Sequence, residues 1–206
     1  MNTIRVLIVD DHAILRMGLA SLLNAKPGLE VIGEASNGLE GIRKTLKLNP
    51  DVVIMDLMMP KVDGVEATSR LKAEGSAAKI LILTTFGTSD SIAHALEAGA
   101  SGAVMKNCDF KELVSAIRTV AGGGTYVSPE IERILKNDPP IAALSPRQSE
   151  ILQSIVRGLS HPDIAKQLGI SVDVVKEHVE ALFQKIGAAN RTEAVSIALR
   201  KHLLKL

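Results

Sequence analysis

The 206-residue chain has one cysteine, Cys108. A lone thiol excludes an intramolecular disulfide and a zinc site built from several thiolates, and it suits a reducing cytosol. No apolar run approaches the ~18 residues that a membrane-spanning helix requires, so no span is expected. Met1 leads almost directly into the apolar run Ile4–Val9, with no basic region before it, and no targeting segment is expected. Internal repeats, low-complexity tracts and heptad arrays are also missing, which excludes solenoid and coiled-coil organisation.

What is present is a hydrophobic content of 46%, enough for one large core or two small ones. The net charge of +1 hides an uneven distribution. Residues 1–143 carry 15 Lys and Arg against 17 Asp and Glu, a net of −2; residues 144–206 carry 9 against 6, a net of +3. A basic C-terminal part weakly favours a polyanionic partner there.

Short apolar runs recur at Val6–Val9, Val31–Ala35, Val52–Met55, Ile80–Leu83 and Gly102–Met105. Runs that are apolar on both faces read as buried parallel strands. Between them lie helical patterns at Ala13–Ala25, Gly38–Leu48, Gly64–Ala73, Asp90–Ala98 and Asp109–Ala121, bounded by Gly, Pro, Asn or Asp. The alternation predicts an α/β domain over 1–121: a doubly wound, parallel, five-stranded, flavodoxin-like sheet. Its active crevice is expected at the strand C-terminal ends. After Gly122-Gly123-Gly124 the alternation stops, and 122–143, with Asp138-Pro139-Pro140, is expected as a linker.

The remainder, 144–206, reads as a small all-α domain. Ser145-Pro146 begins one helix, Ser160 caps a second, Gly169 breaks it, Ser171 caps a third that runs to Ile186, and Thr192 begins a fourth. Two helices joined through Gly169-Ile170 make a helix-turn-helix.

Asp10 and Asp11 follow the first strand and Asp56 ends the third, so three carboxylates are expected in one crevice. Such crowding is unfavourable unless a cation neutralises it. Carboxylate oxygens suit Mg²⁺, and a carboxylate beside Mg²⁺ can attack a phosphoryl donor to form an acyl phosphate. Asp56, alone on its strand end, is the better nucleophile, and the Asp pair the better metal holder. Thr84 ends the fourth strand with a hydroxyl for a phosphoryl oxygen, and Lys106 ends the fifth with an ammonium for the phosphoryl charge. Any single Asp at a strand end can be explained as a turn former. Turn formation does not explain the set at four strand ends.

These residues stand in a recognisable setting: VDDH at Val9–His12, MDLMMP from Met55 with Asp63-Gly64, LTT at Leu83–Thr85, and GASGAVMK ending at Lys106. Residues 1 to about 121 thus resemble the receiver domain of two-component response regulators. The resemblance implies that Asp56 is the phosphoacceptor, that Asp10 and Asp11 bind Mg²⁺, and that the Met58 backbone carbonyl also ligates it. It further implies that Thr84 senses the phosphoryl group and Lys106 pairs with it. One departure is Ala103, three residues before the lysine, where the family usually has an aromatic side chain that swings inward. Switching is therefore expected to use another route, and Phe86 is the nearest large side chain beyond Thr84. Asn107 after the lysine is a minor departure.

LSPRQSEIL, RGLSHPDIAKQLGIS, VVKEHVEALFQKIG and NRTEAV resemble the LuxR-type helix-turn-helix of the NarL/FixJ subfamily. By that resemblance Val172–Ile186 enters the major groove of double-stranded DNA, Lys176, Glu177, His178, Glu180 and Lys185 are candidate contacts, and the final helix often pairs two protomers. Asp173, Glu177 and Glu180 oppose the phosphate attraction that supplies most non-specific affinity, although a glutamate can read cytosine N4. The implied partners are a sensor histidine kinase, a two-fold DNA site and a second copy of the chain. A tail that binds protein and not DNA is the alternative that the acidic helix supports. A metal-dependent phosphohydrolase is disfavoured because Asp56 is followed by Leu57 and Met58, with no second acid in a DxD arrangement.

Overall fold

The computed structural model describes residues 3–85, 88–141, 144–201, 203 and 204. The chain divides into two compact units, Met1–Pro139 and Pro140–Leu206.

In the first unit β1 (Ile4–Val9), α1 (Ala13–Asn24), β2 (Leu29–Ala35), α2 (Gly38–Leu48) and β3 (Val52–Asp56) alternate, followed by α3 (Gly64–Ala73), β4 (Lys79–Thr84), α4 (Ser89–Glu97), β5 (Gly102–Met105) and α5 (Phe110–Ala121). The sheet order is β2-β1-β3-β4-β5, with a short sixth strand, β6 (Tyr126–Val127), beyond β5, and the pairing is parallel throughout. Alternate residues of each strand supply two different cores, as the two-residue period of a strand demands. Leu7 and Val9 join Val53, Met55 and Ile82 in one buried cluster, while Val6 and Ile8 join Ile54, Leu81 and Val104 in the other. Both faces are apolar because helices cover both.

The sheet has six strands where five were expected. The sixth, β6 (Tyr126–Val127), and the following helix α6 (Pro129–Asn137) both lie in the stretch expected as a linker. A two-residue strand is too short to show a period. It is held by backbone bonds from Tyr126 N–H to the Ser101 carbonyl at 3.2 Å and from Ser128 N–H to the Ala103 carbonyl at 3.0 Å. A Cβ at Gly102 would stand 2.2 Å from the Tyr126 carbonyl oxygen, so only glycine permits this approach. Ser128 caps α6 at the Ile131 N–H, and Ile131 is fully buried against the sheet.

The second unit holds α7 (Pro146–Val156), α8 (His161–Leu168), α9 (Val172–Ile186) and α10 (Arg191–Arg200). Ser145 and Ser160 form capping boxes with Gln148 and Asp163, and Ser171 caps α9 at the Val174 N–H. Gly169 closes α8 with φ +65°, the left-handed conformation that turns the chain into α9. The last helix is capped by Asn190, not started at Thr192, because the Asn190 side chain accepts from the Glu193 N–H. The core runs through Ile151, Ile155, Ile164, Val175, Val179, Leu182, Ile186, Ala194 and Ile197. Leu168 and Ile170 are only partly buried, at its margin.

Candidate functional site

β1 and β3 are neighbours, and the sheet order turns back between them, so their C-terminal ends open on a shared crevice. Asp10 follows β1 and Asp56 is the last residue of β3; both are buried, at 1% and 3% relative exposure. From two strands away Lys106, just past β5, brings its ammonium 2.8 Å from Asp56 Oδ2 and 2.8 Å from Asp10 Oδ2. The lysine side chain is 8% exposed, so three charges share a nearly water-free space. In such surroundings their attraction is strong, and an unpaired charge would be costly.

The electrostatics follow from that burial. Desolvation pushes the Asp56 carboxyl above its ordinary range, against the opposing pull of the Lys106 hydrogen bond and charge. For Lys106 burial acts downward, but its pairing with the Asp10 and Asp56 carboxylates outweighs it, and the ammonium is held above the usual lysine range. A backbone hydrogen bond from Met58 also favours the Asp56 carboxylate. Thr84 is the last residue of β4 and is buried, and its carbonyl accepts the Lys106 N–H at 2.7 Å. The β3–α3 turn closes tightly beneath the site: a Cβ at Gly64 would meet the Asp56 carbonyl oxygen at 2.4 Å.

Asp11 is exposed at the mouth. One ligand atom each from Asp10, Asp11, His12 and Asp56 lies within 4.8 Å of all the others. Asp10 Oδ2 is a buried oxygen that lacks a hydrogen bond of good angle even though Lys106 stands beside it. A hard divalent cation fits this donor set, since it prefers carboxylate oxygens and needs no directed hydrogen.

The expected residues Asp10, Asp11, Asp56 and Lys106 are thus brought together, with Thr84 at the adjoining strand end. Two residues that sequence reasoning passed over also touch the site. His12 Nδ1 lies 2.8 Å from Asp11 Oδ1 and 3.3 Å from Asp10 Oδ1. Arg16 donates through Nη1 to the Asp10 carbonyl at 2.6 Å. Their signal was available: His12 closes the VDDH run, and Arg16 lies one helical turn further on. Ala103 is fully buried and shares a cluster with Ile131 of α6. Phe86 lies outside the described residues. Cys108 stays a protonated thiol, pushed up to about 11 by burial and then by the charge of Glu112.

On α9, Lys176, Glu177 and Glu180 are exposed, whereas His178 and Lys185 are half-buried on another stripe of the helix. Lys185 Nζ donates to Gln148 Oε1 of α7 at 3.1 Å, away from the outer face. Lys176 pairs with Asp173 at 2.9 Å. An open groove lined by His161, Lys176, Glu180, Phe183 and Gln184 runs along that outer face.

The family model of the response regulator receiver domain matches residues 6–118, and that of bacterial regulatory proteins of the luxR family matches residues 142–198. The chain is 39% identical to the transcriptional regulatory protein LiaR of Bacillus subtilis, over 98% of this chain and 99% of that one. It is 36% identical to the response regulator protein VraR of Staphylococcus aureus, over 98% and 100%. Among solved structures it resembles RcsB of Salmonella enterica serovar Typhimurium bound to a promoter in the presence of a phosphomimetic. The TM-score is 0.71 at 27% identity, covering 95% of this chain and 98% of that one. These likenesses extend through the helical unit and favour a tail that binds DNA over one that binds only protein. The chain belongs to the response regulators, a family of transcriptional regulators, and joins a receiver domain to a LuxR-type helix-turn-helix DNA-binding domain.

Proposed function

We propose that this response regulator acts in the cytoplasm as a phosphorylation-controlled transcription factor. A sensor histidine kinase supplies the phosphoryl group, and two phosphorylated chains pair on a two-fold site in double-stranded DNA. Asp56 is the acceptor: a carboxylate oxygen attacks phosphorus, the bond from phosphorus to the donor's histidine nitrogen breaks, and the departing imidazole takes a proton from solvent. Asp10, Asp11 and the Asp56 carboxylate, with the Met58 backbone carbonyl, would hold Mg²⁺, which offsets the negative charge gathered at the site. Lys106 leaves its shared position between two carboxylates to pair with the phosphoryl oxygens, and the Thr84 hydroxyl donates to one of them. The added charge of roughly −1.5 to −2 is the signal that the receiver responds to.

The observation that carries this reading is the placement of the Lys106 ammonium 2.8 Å from both Asp10 and Asp56 in a buried crevice. Intact-mass spectrometry after incubation with acetyl phosphate and Mg²⁺ tests it. One phosphoryl mass should appear on the wild type and none on Asp56→Asn; an equal gain in both proteins would reject Asp56.

A further inference from the structure

We infer that Arg16, on the helix behind the acidic crevice, is a positioning residue that holds Asp10 and Asp11 in the arrangement that binds the divalent cation. The inference rests on the proposal above that these carboxylates take Mg²⁺.

Asp10 is held on every side. Its N–H donates to the Ala35 carbonyl at 3.1 Å, the last bond between β1 and β2. Its Oδ1 accepts the His12 N–H at 2.8 Å, and its Oδ2 faces Lys106. The remaining group, the carbonyl, accepts from Arg16 Nη1 at 2.6 Å. That carbonyl belongs to the peptide linking Asp10 to Asp11, so its orientation decides where the Asp11 carboxylate arrives at the mouth of the site.

Arg16 is itself fixed. Its side chain is 15% exposed, and Nε pairs with Glu34 Oε2 on β2 at 3.2 Å. The Glu34 carbonyl in turn accepts from Lys44 Nζ of α2, and Lys44 pairs with Glu40 at 2.9 Å. A planar guanidinium can satisfy the Asp10 carbonyl and the Glu34 carboxylate at once through separate nitrogens in a rigid fork; a lysine ammonium presents a single point of charge. Arg16 touches no carboxylate of the crevice, so its effect passes through the backbone of Asp10. Groups that orient metal ligands in this way typically govern metal affinity by 10- to 100-fold.

The test is calorimetric titration of Mg²⁺ into the full-length wild type, Arg16→Ala, Arg16→Lys, Glu34→Gln and Asp10→Asn, alongside phosphorylation rates from acetyl phosphate across Mg²⁺ concentrations. Arg16→Ala should weaken Mg²⁺ binding about tenfold. The Mg²⁺ concentration for half-maximal phosphorylation should rise in parallel, with the plateau rate largely kept. Arg16→Lys and Glu34→Gln should shift the midpoint in the same direction by less, which keeps the test decisive if Arg16→Ala folds poorly. Wild-type affinity in all three variants, with only a lowered melting temperature, would show a purely structural arginine and overturn the inference while leaving the metal reading intact. No Mg²⁺ binding by the wild type, or full binding by Asp10→Asn, would overturn the metal reading and this inference with it.

Discussion

Ser89 Oγ donates to Asp138 Oδ2 at 2.9 Å, tying the first turn of α4 to the C-cap of α6. Ser89 is buried at 1% exposure, and the bond spans 49 residues. It fastens the last helix of the first unit to the helix that follows the Thr84 strand. Ser89→Ala should lower the stability of that unit by about 1 kcal/mol, the usual net worth of one such hydrogen bond. Urea unfolding checks the magnitude. Limited proteolysis should show faster cleavage near Asn137–Pro139, and unchanged cleavage there would mean that α6 is held by Ile131 and its neighbours alone.

Lys106 offsets two buried carboxylates at once. Lys106→Met removes the charge but keeps the stem, leaving Asp10 and Asp56 uncompensated, and should destabilise the receiver by about 3 kcal/mol at neutral pH without divalent cations. Adding Mg²⁺ should narrow the gap to wild type, because a cation held by the same oxygens supplies the missing charge. Unfolding curves with EDTA and with excess Mg²⁺ measure this; an identical gap in both would separate the carboxylates from cation binding.

The exposed surface of α9 carries Lys176, which favours a phosphate backbone, and Asp173, Glu177 and Glu180, which oppose it. Lys176 must release Asp173 to reach DNA, a small loss for an exposed pair. Lys176→Ala should weaken binding and reduce the salt dependence by about 0.9 in log-log slope, and Glu180→Lys should strengthen binding on any sequence by a similar change in slope. Fluorescence anisotropy on random duplexes at several salt concentrations is the measurement. If neither variant moves affinity or slope, this face does not meet DNA. Lys185→Ala should change the slope less, since its ammonium is turned to Gln148.

Glu40 supports the start of α2: it accepts from Ser36 N–H at 2.8 Å and pairs with Lys44 at 2.9 Å. The Ser36 backbone bond, then the Lys44 hydrogen bond, lower its carboxyl from 4.5 to about 2. A depressed folded-state value adds stability that is complete above the unfolded value and fades as pH falls from about 4.5 to about 2. Glu40→Gln should therefore be about 1 kcal/mol less stable than wild type at pH 7, with the difference shrinking towards pH 2. Denaturation at both ends of that range decides it, and a difference independent of pH would exclude the carboxylate as its source.

Much of this molecule was legible before folding was considered. The strands over Val6–Val9, Val52–Met55 and Ile80–Leu83 announced themselves because a sheet covered on both faces needs consecutive apolar residues. Helix starts at Ser145, Ser160 and Ser171 were readable because capping is a local hydrogen bond between residues three apart. The acidic crevice was readable as well, since parallel strands place all their C-terminal ends on one side, so Asp10, Asp56, Thr84 and Lys106 could be gathered from position alone.

Tertiary structure decided what depends on partners distant in the chain. β6 exists because Tyr126 and Val127 find the free edge of β5, a run too short to show a period; α6 carries a local one, Ile131, Ile134 and Leu135 after the Ser128-Pro129 cap, and the fold supplies the apolar face beside Ala103 that covers it. The local pattern likewise could not say that Lys185 turns to Gln148 while Lys176 stays outside, because side chains on one helix are sorted by what packs against it. Arg16 shows the same limit at the site. Its place one turn into α1 is a matter of sequence, but the grip on Asp10 arises only when β2 brings Glu34 alongside, since a guanidinium is held in place by acceptors that the fold must first assemble.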